Sequence, residues 1–162
     1  MKIRKAEPKD AQIIAKINVE TWQDAYKSII NDDILEARKV DEKRIATWAK
    51  IIQNPAFSVL VCEDKDVIGY LSAGPARDDF GIEHEIYAFY VHPRFQQKGA
   101  GSALIKHYKQ LINNKSFYLY MLKKNQKAAS FYEKHGGAVC EKHSRYLTIQ
   151  DQTVEEICYV FK

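Results

Sequence analysis

The chain has 162 residues, of which 46% are hydrophobic and 28% charged. That is about one domain's length with enough apolar content for a packed core, which excludes a disordered chain. Lys and Arg number 25 against 21 Asp and Glu, and the net charge of +4 is spread without a basic block, so nucleic-acid binding is not expected.

A membrane-spanning helix needs about 20 apolar residues, and the longest apolar runs here, such as Ser58-Val59-Leu60-Val61-Cys62, are far shorter. The charged opening stretch, Met1 to Gln12, lacks the apolar segment of a secretory signal. Cys62, Cys140 and Cys158 are scattered, with no Cys-x-x-Cys or Cys/His ligand spacing. Neither a disulfide framework nor a metal site is expected, and the expected location is cytoplasmic.

In chain order, residues 2–5 read as a short strand. Pro8 and Asp10 suit a helix start, and Ile14, Ile17, Thr21 and Ala25 continue it to about residue 26. Asn31-Asp32-Asp33 is a capping cluster. Ile45, Trp48, Ala49 and Ile52 then form one apolar helical face, closed by Pro55. Phe57–Cys62 and Val67–Ala73 read as a hairpin around Glu63-Asp64-Lys65-Asp66. Arg77 to Gly81 is a polar loop, and Glu83–Val91 is the next strand, ended by His92-Pro93.

Alternation puts Glu83, Glu85, Tyr87, Phe89 and Val91 on one face of that strand, and His84, Ile86, Ala88 and Tyr90 on the other. Gly99 to Gly101 opens a helix whose predicted apolar face is Ala100, Ala103, Leu104, Tyr108, Leu111 and Ile112, stopped at Asn113-Asn114. Phe117–Leu122 is a strand. Ala128, Phe131, Tyr132 and His135 have helical spacing ahead of Gly136-Gly137. Two final strands, near 138–149 and 153–161, flank Gln150-Asp151-Gln152. This order predicts an α/β (α+β) fold in one domain, 1–162: a mixed, mostly antiparallel sheet of about six to seven strands flanked by about four helices.

The segment with most chemistry is Gln96-Gln97-Lys98-Gly99-Ala100-Gly101-Ser102, between a strand and a helix. The first N–H groups of a helix lack internal partners and sit at its positive end. Glycines let the backbone approach a bulky anion, so the segment reads as a phosphate cradle. Gly101 is followed by Ser102-Ala103 rather than Lys-Ser/Thr, and Leu104 stands where a dinucleotide fingerprint needs glycine. Both nucleotide motifs therefore fit poorly.

Glu85 to Pro93 runs into Gln96-x-x-Gly99-x-Gly101, and Asn125-x-x-Ala128-x-x-Phe131-Tyr132-Glu133-Lys134-x-Gly136 follows. This combination resembles the GNAT superfamily of N-acetyltransferases, with Gly137 a departure where many members carry Phe. The resemblance implies acetyl-CoA as cofactor, its pyrophosphate held by Gln96, Gln97, Lys98, Gly99, Ala100, Gly101 and Ser102. It implies that Phe89, Tyr90 and Val91 pair with the pantetheine arm where a bulge splays their strand from 117–122, with a free N–H near Tyr90 or Val91 for the thioester oxygen. Asn125, Ser130 and Lys134 are implied as further coenzyme contacts.

Glu85 is the implied general base, with Glu83, His84 or water as alternatives, and Tyr132 is the group beside the departing sulfur. Tyr132 would act by hydrogen-bonding that sulfur, or as an acid after its pKa is lowered. Trp22, Tyr26 and Arg77 are candidates for the acceptor side, where Asp78 and Asp79 would attract a cation. The expected reaction is acetyl transfer to a primary amine of a small molecule by direct attack in a ternary complex, by a monomer or homodimer. A protein or peptide acceptor, or an inactive CoA-binding sensor, are the competing expectations.

Overall fold

The computed structural model describes residues 1–162. Strand β1 (Lys2–Lys5) leads through a 3-10 turn at Pro8–Asp10 into α1 (Ala11–Ala25), followed by α2 (Asp32–Ala37) and α3 (Glu42–Gln53). Next come β2 (Ser58–Asp64), β3 (Asp66–Pro75) and β4 (His84–Val91), then α4 (Ala100–Leu111), β5 (Phe117–Leu122) and α5 (Gln126–Lys134). The chain closes with β6 (Gly137–Val139), β7 (Arg145–Ile149) and β8 (Gln152–Phe161).

All eight strands belong to one sheet of order β1-β2-β3-β4-β5-β8-β6, with β7 also on β8. Every pairing is antiparallel except β4 with β5. One face carries a core around Leu104, Ile105, Tyr108, Phe117, Leu119 and Phe161 under α4. The other carries Ile14, Ile17, Trp48, Val61 and Tyr70 under α1 and α3. Local caps set the helix starts: Asp41 accepts from Arg44 N–H at 2.7 Å, and Asn125 from Ala128 N–H at 3.2 Å.

Two features make the sheet a fork. First, β4 pairs with β5 only from His84↔Phe117 to Ile86↔Leu119, so residues 87–91 have no partner on that side. Second, Ser72 faces Ala88 while Ala73 faces Ile86, leaving Tyr87 as a bulge. The extra residue reverses the alternation. Ile86, Phe89 and Val91 all pack on the α4 side, and Ala88 and Tyr90 on the α1 side. Glu85 therefore does not share a face with Phe89 and Val91, which corrects the simple period-two expectation.

Other differences have local causes. In α4, Ile105 is buried and Leu111 is 50% exposed, because the core lies toward the Ala100–Leu104–Tyr108 side. The strand expected over 138–149 is broken: Cys140 N–H bonds Cys158 O at 2.8 Å, and a 3-10 turn at Glu141–His143 lets β7 reach the other half of β8. At Gly137 a Cβ would lie 2.7 Å from the Phe161 ring and 3.0 Å from Tyr132 O. Phe161 fills the space that a side chain at 137 would need, so the departure costs no packing.

Candidate active site

A cleft of about 960 Å³ runs through the fork. Its walls are β4 beyond the bulge, β5 from Leu119 to Met121, the start of α4, α5, and the end of α1 with residues 26–29.

The α4 end is built from backbone. Gln97 and Gly99 have φ of 61° and 91°, folding residues 96–99 back on themselves ahead of the helix. No side chain caps α4, and the N–H groups of residues 97–102 donate to no other group of the protein. Six unused donors at a helix N-terminus are suited to binding an anion. Lys124, Lys127 and Lys134 line the same cleft. A Cβ on Gly101 would sit 3.2 Å from the Phe131 ring, so glycine lets α4 and α5 close on each other there. Unpaired N–H groups, a missing side chain and nearby ammonium groups fit a pyrophosphate.

Most of the residues expected on this side line the cleft: Phe89, Tyr90, Val91, Gln96, Gln97, Gly99, Gly101, Ser102, Asn125, Ser130 and Lys134. Two do not. The Ala100 side chain is buried in the core, and Lys98 points outward with its Nζ 5.6 Å from the Phe95 ring. His135 was missed. Its Nε2 lies 3.0 Å from Ser102 Oγ, and burial, then Lys109 and Lys134, lower its pKa. Residues 102 and 135 meet only in three dimensions, and no local pattern marks the pair.

Backbone direction on β4 follows from one bond. His92 N–H donates to Ile68 O, so by alternation Tyr90 and Ala88 face β3, and Phe89 and Val91 turn their N–H groups into the fork. Gln96 Nε2 donates to Val91 O at 2.9 Å, on that open side. Of the two N–H positions expected, the fork uses Val91, with Phe89 beside the bulge, and not Tyr90.

Tyr132 is 8% exposed and lines the cleft. Burial, and the nearby Tyr90 hydroxyl, raise its pKa above the ordinary phenol range. That direction favours a neutral phenol and opposes an acid with a lowered pKa.

The acceptor side departs further from expectation. Glu85 is fully buried and does not line the cleft. It accepts from Arg77 N at 3.0 Å, from Arg77 Nη2 at 2.5 Å and from Tyr118 Oη at 3.0 Å. Both of its oxygens are thus engaged by Arg77 and Tyr118. Glu83 is highly exposed and paired with Lys115 at 3.0 Å, and neither it nor His84 lines the cleft. Arg77 is bound to Glu85, with its guanidinium 4.6 Å from the Tyr87 ring centre. Trp22 is core: it packs edge-on to Tyr26 and beneath Arg38, whose guanidinium carbon is 4.4 Å from its ring. Tyr26, Tyr87 and Tyr120 do line the cleft, whereas Tyr118 is buried and Tyr146 is 76% exposed.

Residues 15–137 match the Acetyltransferase (GNAT) family. The chain is 32% identical over 106 residues to the uncharacterized N-acetyltransferase YuaI of Bacillus subtilis (strain 168), covering 64% of this chain. It is 36% identical over 108 residues to the L-amino acid N-acyltransferase MnaT of Escherichia coli (strain K12), covering 65% of this chain. In both cases the match spans 59% of the relative's length. The fold also matches the PaiA N-acetyltransferase of Thermoplasma acidophilum, crystallised with coenzyme A, at TM-score 0.74 and 22% identity over 96% of each chain.

Proposed function

Because the chain belongs to the GNAT acetyltransferase family, we propose that residues 1–162 act as one domain transferring acetyl from acetyl-CoA to a primary amine of a small molecule. The transfer is direct, within a ternary complex. The observation that carries this reading is the continuity of the cleft: unused N–H groups at the start of α4 open into the β4–β5 fork, which continues to the end of α1. The L-amino acid specificity in the name of the E. coli relative supports a small acceptor. No cysteine lines the cleft, in keeping with a reaction that needs no acyl-enzyme.

Bound acetyl-CoA supplies a thioester, an acyl group already activated toward amines. The N–H groups of residues 97–102 hold its pyrophosphate. The N–H groups of Phe89 and Val91 are fixed donors for the oxygen on which negative charge grows. Tyr132 gives a hydrogen bond to the departing sulfur; with unperturbed values, full transfer from phenol to thiolate is already uphill by about 2 kcal/mol, and the raised pKa of Tyr132 increases that gap. An alkyl ammonium with pKa near 10.4 is neutral about once in 2,500 molecules at pH 7, a cost of about 4.6 kcal/mol, so the amine must lose a proton in the site. Glu85 supports that chemistry by position, holding Tyr118 and the Arg77 loop.

The test is thiol release from acetyl-CoA against amines, amino acids and peptides, with an amine-free control. Release that depends on a small amine is expected, and Tyr132→Phe should lower kcat by about 10- to 100-fold, the range for losing a hydrogen bond to a charged group. Release with peptides alone would favour a protein acceptor. CoA at 100 times its Kd should raise Tm by about 5–10 °C. That shift without release from any acceptor would favour a sensor, and no shift would overturn the cofactor assignment.

A further inference from the structure

Beyond the last β4–β5 pair, Ile86↔Leu119, the next residue of β5 is Tyr120, at the crotch of the fork and lining the cleft. Its hydroxyl donates to Asp78 Oδ2 at 2.9 Å. A hydroxyl that spends its proton on a carboxylate keeps lone pairs free to accept from a ligand N–H. Asp78 does not line the cleft, and its side chain is 32% exposed, so it reaches solvent from behind Tyr120.

The surroundings fix this pair. Tyr118 Oη donates to Glu85 and accepts Asp78 N–H at 3.0 Å, which ties the 76–81 loop to the buried carboxylate. From β7, the Arg145 guanidinium covers the Tyr120 ring at 3.7 Å and lies 3.8 Å from Asp78. From β8, Glu156 holds Arg145 Nε at 2.8 Å, and Cys158 is the cross-strand partner of Tyr120. Burial and the bond to Asp78 raise the Tyr120 pKa, so Tyr120 serves as a conduit and not as a standing phenolate.

We propose that Tyr120 and Asp78 form the proton exit for the acceptor amine: the Tyr120 oxygen takes a proton from the ammonium as its own proton passes to Asp78, which releases it to water. This deepens, and rests on, the acetyltransferase reading. The balance is complete. The ammonium loses two protons as the C–N bond forms and the C–S bond breaks. The first leaves through Tyr120 and Asp78 before attack; the second leaves nitrogen as the amide forms and ends on the coenzyme sulfur through cleft water. Tyr120 finishes as it began. The carboxylate that lines the cleft itself is Asp24, on the exposed end of α1 and without a hydroxyl partner, so it is the natural competitor.

The experiment measures kcat/KM for butylamine, spermidine and L-methionine from pH 6 to 10.5 with the intact chain at saturating acetyl-CoA, comparing Tyr120→Phe, Asp78→Asn and Asp24→Asn. CoA-induced Tm shifts are recorded for each as a readout independent of turnover. A general base typically contributes 10²- to 10⁴-fold. Tyr120→Phe and Asp78→Asn should therefore fall by about 100-fold at pH 7 and close most of that gap to the parent by pH 10.5, where about half of an amine with pKa near 10.4 is already neutral. Their CoA-induced shifts should match the parent's. A loss equal at every pH, parent-like rates at pH 7, or a pH-dependent loss confined to Asp24→Asn would overturn the relay while leaving the acetyltransferase reading intact. If the parent transfers to none of these amines although CoA raises its Tm, the small-amine reading fails and the relay falls with it.

Discussion

The two ends of the cleft are built from different materials. The α4 end is made of backbone: six N–H groups, two left-handed residues and a glycine against Phe131, nearly all from one stretch of chain. The other end is backed by a network of side chains from β4, β5, β7, β8 and the 76–81 loop that reaches the cleft at Tyr120, joined from Arg77 through Glu85, Tyr118, Asp78 and Tyr120 to Arg145 and Glu156. A backbone site depends on local conformation and tolerates change in the side chains around it. A network site fails when any member loses its partner. One molecule therefore has a backbone end that tolerates side-chain change around it and a network end that does not.

The sharpest way to break this contrast is to disturb the backbone end. Valine at position 99 would have to hold φ near 91°, a region that costs a non-glycine residue about 1–2 kcal/mol and a β-branched one more. Gly99→Val should weaken CoA binding by about tenfold or more in calorimetry, with Tm of the free protein lowered only slightly. Unchanged affinity would mean that the unused N–H groups do not form the anion site.

Next in size is the network. Glu85→Gln leaves one acceptor oxygen against the donors of Arg77 and Tyr118. The Arg77 guanidinium is 61% exposed and contributes little of the cost. The buried Tyr118 hydroxyl and Arg77 N–H carry most of it, about 2 kcal/mol. Tm should fall by about 4–8 °C, and kcat/KM for the amine severalfold, with CoA affinity preserved. If CoA affinity falls as far as amine turnover, the two ends are not separable.

The smallest effect concerns His135. Its pKa is lowered in the folded protein by burial and by Lys109 and Lys134. Below the unfolded value of about 6.5 the unfolded chain binds a proton that the folded one resists, so this contribution to stability is present above pH 6.5 and is lost as pH falls toward the folded value. Tm should decline as pH falls below about 6.5, and His135→Asn should flatten that decline. An identical slope in the variant would show that the acid sensitivity lies elsewhere.

Much of the site was readable before any coordinates. The α4 cradle, the Tyr132 helix and the hairpin of β2 and β3 follow from glycine placement, capping residues and periodicity, which act within a few residues. Glu85 was expected in the cleft, and the structure buries it against Arg77 and Tyr118 outside the cleft lining. The family resemblance implied a bulge in this strand, but not that it falls at Tyr87, where it reverses which face each later residue takes. Trp22 was a candidate for the acceptor side, but its ring is buried with Tyr26, Ile30 and Leu35 beneath Arg38.

The amino-acid sequence alone determined the order of elements, the position of the anion cradle and the family resemblance. Each depends on short-range rules of capping, φ preference and period. The tertiary structure decided which side chains meet behind the fork. Asp78 and Tyr120 are 42 positions apart, and only the pairing of β4 with β5, held through Glu85 and Tyr118, brings them to 2.9 Å. A hydrogen bond requires contact, and contact between distant residues is a property of the sheet, not of either segment alone.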